Sequence, residues 1–136
     1  MKIWQGYSSE HSSRIVLVGH FQSPADAEAF NEEYKKIQAL AVAHFGEIES
    51  DDDKFPDEIF KILYNEKIKF SQITTPKDLA EFAGEGDTSV SGNDFILTSS
   101  EYEWGGTIKM LLMAGAKIEL FSRHDYEEEY NKYTAQ

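Results

Sequence analysis

The sequence predicts one α+β domain: a two-layer sandwich with a ferredoxin-like βαββαβ core, an extra N-terminal strand and inserted short helices. Three observations predict it. The stretch from Asn93 to Arg123 reads as strand, short helix and strand. The run from Arg14 to Phe21, RIVLVGHF, is almost continuously apolar, as in a central strand covered on both faces. Between them a helical periodicity runs on from Ser23. At 136 residues, with 40% hydrophobic and 13% aromatic side chains, the chain has enough apolar material for a single core spanning 1–136.

Taken in order, Lys2 to Tyr7 reads as an edge strand, joined to Arg14–Phe21 by the polar run Ser8-Ser9-Glu10-His11-Ser12-Ser13. Ser23 is a natural N-cap, Pro24 suits the first helical position, and Asp26 places negative charge in the first turn. Ala27, Phe30, Tyr34, Ile37, Ala41 and Phe45 recur every three or four residues, and Gly46 ends the pattern. A charged connector follows, containing Asp51, Asp52 and Asp53. From Pro56 a short helix carries Ile59, Phe60, Leu63 and Tyr64.

Lys67 to Ile73 alternates as a strand, and Thr75-Pro76-Lys77-Asp78 repeats the cap, proline and acid arrangement at the start of a helix ending near Ala83. Gly84 to Gly92 reads as loop. In the next strand Phe95, Leu97 and Ser99 alternate against Ile96 and Thr98. Gly105-Gly106 then opens a helix with Ile108, Leu111 and Leu112 at helical spacing, and Gly115 closes it. In Lys117–Phe121, Ile118 and Leu120 share one face, Glu119 and Phe121 the other. The segment 126–136 reads as a helical or flexible tail with Tyr126, Tyr130 and Tyr133 on one side.

The formal net charge is −12, and Asp51 to Asp94 contributes more than either flank. The 13 basic residues are scattered, in short clusters such as Lys67-Ile68-Lys69, so nothing offers a phosphate backbone a basic patch and no nucleic acid is expected. With no cysteine, disulfide scaffolds, thiolate zinc sites and thiol catalysis are excluded. No segment approaches a membrane span, and the start MKIWQGYSSEH lacks the apolar core of a signal peptide. The expectation is a cytoplasmic protein with no membrane attachment and no cofactor. The acidity either serves solubility or complements a basic partner.

The catalytic candidates are Ser9, Glu10, His11, His20, His124 and Asp125, because a hydrolase needs a serine next to a histidine that a carboxylate orients. Imidazole and carboxylate also suit zinc or iron, but none of the histidines has a ligand spacing such as H-x-x-x-H, and no metal is expected. The spacing Asp87-x-Ser89-x-Ser91-Gly92 fails as a calcium loop, since Thr98 stands where a bidentate glutamate belongs. The binding candidates are Tyr102, Trp104, Gly105 and Gly106, where a glycine-opened helix exposes amides beside aromatics, and the Asp51, Asp52, Asp53 run.

Two functional classes follow. The first is a non-enzymatic interaction module, an inhibitor or immunity-type protein that neutralises a basic protein partner. The second is a small enzyme or small-molecule or metal-binding domain using Glu10, His11, His20 and His124. A homodimer through sheet edges or faces fits either class.

Overall fold

A computed structural model describes residues 15–44, 57–65, 76–83, 86–99, 105–122 and 126–134. Four strands form one antiparallel sheet: β1 (Ile15–His20), β2 (Gly86–Ser91), β3 (Asp94–Ser99) and β4 (Lys117–Ser122), in the order β2-β3-β1-β4. The helices are α1 (Pro24–Ala43), α2 (Asp57–Asn65), α3 (Pro76–Glu81), α4 (Gly105–Met113) and α5 (Glu127–Thr134). The protein is therefore mixed α+β. Because β3 and β4 both run antiparallel to β1 and flank it, they are parallel to each other, and α4 crosses over the strand between them.

The apolar run of β1 has the outcome its composition demands. Ile15 and Leu17 point to the helical layer, while Val16 and Val18 point to the opposite face, and all four are buried. On the helical side they meet Phe95 and Leu97 of β3, then Phe30, Tyr34 and Ile37 of α1, and Met110 and Leu111 of α4. Leu79 of α3 and Ile59 and Leu63 of α2 complete that core. The aromatic rings chain through it: Phe21 lies 5.4 Å from Phe30, Phe30 meets Phe95 edge-on at 4.7 Å, and Tyr34 touches both Phe95 and Phe82 at 5.4 Å. On the other face Val16, Val18, Ile96 and Phe121 form a second cluster, against which Tyr133 of α5 packs. The tail helix therefore adds a partial third layer to the expected two.

Local signals fix the ends. Ser23 Oγ accepts from the amide of Asp26 at 3.2 Å, and Pro24 follows the cap, so α1 starts where its sequence says. The helix stops at Ala43 with His44 as its C-cap, short of Gly46. α4 ends in a Schellman motif. Gly115 sits at φ +77°, its amide donates to Leu112, and the amide of Ala116 donates back to Leu111. Gly19 lets α4 settle onto the sheet, since a Cβ there would lie 2.4 Å from Leu111 Cδ2.

Two expectations need correction. Gly84 to Gly92 is not all loop: Gly86–Ser91 is strand β2, turning through Gly92-Asn93 into β3 with Gly92 at φ +57°. The sheet position expected of Lys67–Ile73 belongs to this strand. Lys67–Ile73, like Lys2–Tyr7, lies outside the described residues. In the short helices the buried stripes also differ. Phe60 and Tyr64 of α2 are exposed, as is Leu112 of α4, where Met110 goes inside beside the expected Leu111.

Leu111 is fully buried and touches the Gly19 position, so Leu111→Ala is expected to destabilise by about 2–5 kcal/mol and Gly19→Val by about 1–3 kcal/mol. The double variant should lose less than the sum, because the cavity at 111 accepts the new side chain. Urea denaturation of the four proteins measures this, and strict additivity would contradict the contact.

Candidate functional site

The junction after β1 builds a cleft. Phe21 is held in place by its amide, which donates to the carbonyl of Asn93 at 2.9 Å, while the Asn93 side chain donates to the carbonyl of Gln22 at 3.3 Å. The β2–β3 turn thus braces the entry to α1. Beside it α1 presents Asp26, Ala29, Phe30 and Glu33, spaced i, i+3, i+4, i+7, a second stripe next to its core stripe. Opposite stand Ala114 and Gly115, where the Schellman turn leads into β4. Together they enclose an open cleft of about 490 Å³, within the size range of small-ligand sites. Its lining is mixed: Phe21, Ala29, Phe30, Ala114 and Gly115 stand with the polar Gln22, Asp26 and Glu33.

The opposite face of the sheet holds a polar quartet. His20 closes β1, in register with Asp94 of β3 and Lys117 of β4. His20 Nδ1 lies 2.7 Å from Asp94 Oδ1, and Nε2 lies 3.4 Å from Glu119 Oε1. The same Glu119 oxygen accepts from the Tyr133 hydroxyl at 3.2 Å, linking the sheet to α5. An imidazolium donates at both nitrogens, whereas either neutral tautomer has one donor. Because the two carboxylates address opposite ring nitrogens, one ion cannot take all three groups. Among the described residues, no three histidine, aspartate or glutamate side chains gather to hold a metal.

Burial, with the Glu119 carboxylate beside it, raises the Tyr133 phenol above the ordinary tyrosine value of 10.0. Folding therefore favours the protonated phenol.

The span from residue 1 to residue 132 matches a family of unknown function, DUF6375. The chain belongs to DUF6375. No curated protein and no solved structure matches it.

In this DUF6375 chain the expected site residues fall as follows. His20 is half-buried in the quartet, oriented by Asp94. Gly105 and Gly106 open α4; Gly105 is half-buried, Gly106 is buried, and so is Thr107 after them. Ser9, Glu10, His11, Asp51, Asp52, Asp53, Tyr102, Trp104, His124 and Asp125 lie outside the described residues. Sequence reasoning missed the cleft. The signal was present in the stripe Asp26-Ala29-Phe30-Glu33, but that stripe is half charged and reads as the solvent side of an amphipathic helix. It also missed His20's partners, which are 74 and 99 residues away in the chain.

The raised Tyr133 value fixes a sign. The phenol's contribution to stability is fully present below pH 10 and is lost as pH rises through the native value. Thermal melts across the alkaline range should therefore fall more steeply for the wild type than for Tyr133→Phe. Parallel slopes would show that Tyr133 is not held by Glu119.

Proposed function

We propose that this DUF6375 protein is a non-enzymatic interaction module, an inhibitor or immunity-type binder of a basic protein partner. One observation carries the reading: exposed aromatic side chains stand on or next to two separate helices whose first turns are acidic. On α2, Phe60 and Tyr64 are 60% and 75% exposed one turn apart, after Asp57 and Glu58. At α5, Tyr126 is 51% exposed and is followed by Glu127, Glu128 and Glu129. Favourable interaction with the helix dipole accounts for acids in a first turn, but not for aromatic rings left in water. Aromatic side chains are the residues that concentrate binding energy at interfaces, and surrounding acids select a basic partner and speed encounter.

The strand order and the two helical crossings, β1-α1-β2 and β3-α4-β4, support a ferredoxin-like core with α2 and α3 inserted in the first. Cytoplasmic location and pairing of two copies belong to the same proposal, the first from a cysteine-free acidic composition, the second from a sheet that among the described residues ends on β2 and β4. Among the described residues no helix is long and apolar enough to cross a membrane.

A second reading, a small enzyme or ligand-binding domain built on Glu10, His11, His20 and His124, is favoured by the Asp94–His20 contact. Such a contact is the orienting half of a carboxylate–imidazole pair.

Affinity capture from lysate of the source organism, at low and high salt, separates the two. The expected result is a basic protein retained at low salt, weakened at high salt, and lost on Phe60→Ala with Tyr64→Ala. An empty capture, together with a metabolite or metal that raises the melting temperature of the wild type but not of His20→Ala, would overturn the interaction reading in favour of the second.

A further inference from the structure

The polar quartet on the second face of the sheet ties α5 to the body of the protein. With eight residues α5 is too short to persist in water without tertiary contacts, and its first turn holds three glutamates. What it brings to the sheet is aromatic: Tyr126 and Tyr133 lie against Phe121, with ring centres 6.3 and 5.9 Å away. To these contacts the Tyr133 hydroxyl adds a hydrogen bond, donated to Glu119 Oε1 at 3.2 Å. The Glu119 side chain is 41% exposed, and its second partner among the described residues is His20 Nε2, at 3.4 Å.

The titratable groups around His20 are Asp94 of β3, Glu119 and Lys117 of β4 and, through Glu119, Tyr133 and Glu129 of α5. Lys117 is exposed and pairs with neither carboxylate. Imidazole is the side chain whose charge ordinarily changes between pH 5 and 8. Charged, the ring donates from Nδ1 to Asp94 and from Nε2 to Glu119. Neutral, it keeps one N–H. The Asp94 contact is the shorter at 2.7 Å, so that proton stays on Nδ1 and the Nε2 lone pair faces the Glu119 carboxylate. Two acceptors repel, and Glu119 is exposed enough to turn into water, away from Tyr133.

We infer that His20 is a pH-sensitive latch for α5: the imidazolium holds Glu119 under the Tyr133 hydroxyl, and loss of its proton loosens the helix from the sheet. The number of donors sets the sign. Docking of α5 is tightest near pH 5, where the carboxylates are still ionised, and weakest near pH 8. Because His20 and Glu119 are both partly exposed, the effect is small, about three- to tenfold in the opening of α5. The latch stands on the quartet alone and needs no partner protein.

The full chain is followed by NMR from pH 5 to pH 8 at constant ionic strength. The His20 ring resonances are read together with the α5 amides, and amide exchange is corrected for its intrinsic pH dependence. The expected result is that the α5 amides titrate with the midpoint of His20. Their protection should fall about three- to tenfold across the range, while that of Leu17 stays constant. His20→Gln, which keeps a neutral donor, should remove the pH dependence, and His44→Gln should leave it intact. In Tyr133→Phe, which loses only a hydroxyl, His20 should still titrate without α5 following.

An α5 that does not respond while His20 titrates overturns the inference, as does a His20 that keeps one charge state from pH 5 to pH 8. A response that survives in Tyr133→Phe or His20→Gln also overturns it, because the general charge of the protein would then be its cause.

Discussion

Burial of β1 on both faces is the constraint on which the rest of the protein depends. Ile15 and Leu17 need a helical layer on one side, while Val16 and Val18 need cover on the other. The strand also spends its hydrogen-bonding edges on two neighbours, β3 and β4. Removing an aliphatic side chain from such a strand forfeits transfer energy and leaves a cavity that both layers border. The glycine within it is part of the same constraint: at Gly19 the strand makes room for Leu111, which brings α4 close enough to seal the helical core.

Both chemically interesting places are consequences of where that strand stops. At His20 the apolar run ends, and the first polar side chain on the second face finds Asp94 on one neighbour and Glu119 on the other. One residue later Phe21 turns to the helical side and starts the aromatic chain through Phe30 to Phe95. The cleft exists because the entry to α1 and the exit from α4 meet at this end of the sheet, each fixed by its own cap. Ser23 starts one helix and Gly115 ends the other. Capping chemistry that looks purely local therefore sets the shape of a surface site.

Much of the fold was legible in the sequence because its signals are short-range. The cap at Ser23, the α1 stripe, the β1 run and the Gly115 stop each lie within one element, and the structure keeps them. The β2 strand was not legible as read, since Asp87 and Ser89 are exposed and its composition resembles a loop. Its signal was the Gly92-Asn93 pair between two alternating runs, which marks a two-residue hairpin turn. The short helices misled for another reason: nine residues give a stripe too brief to say which of two apolar faces goes inside. Phe60 is as apolar as Ile59 and Leu63, and only packing decides between the two faces. The quartet and the cleft were out of reach because their members are joined by sheet register and helix docking, which no local spacing records.

Native-state hydrogen exchange tests the central place of β1 most directly. The account predicts that the amides of Val16, Leu17 and Val18 exchange only through global unfolding, with an opening free energy equal to that from denaturant melts, while those of α2 and α5 open at lower energy. Exchange of the β1 amides through local opening, faster than that of α2, would show that another element holds the fold together and would contradict the account.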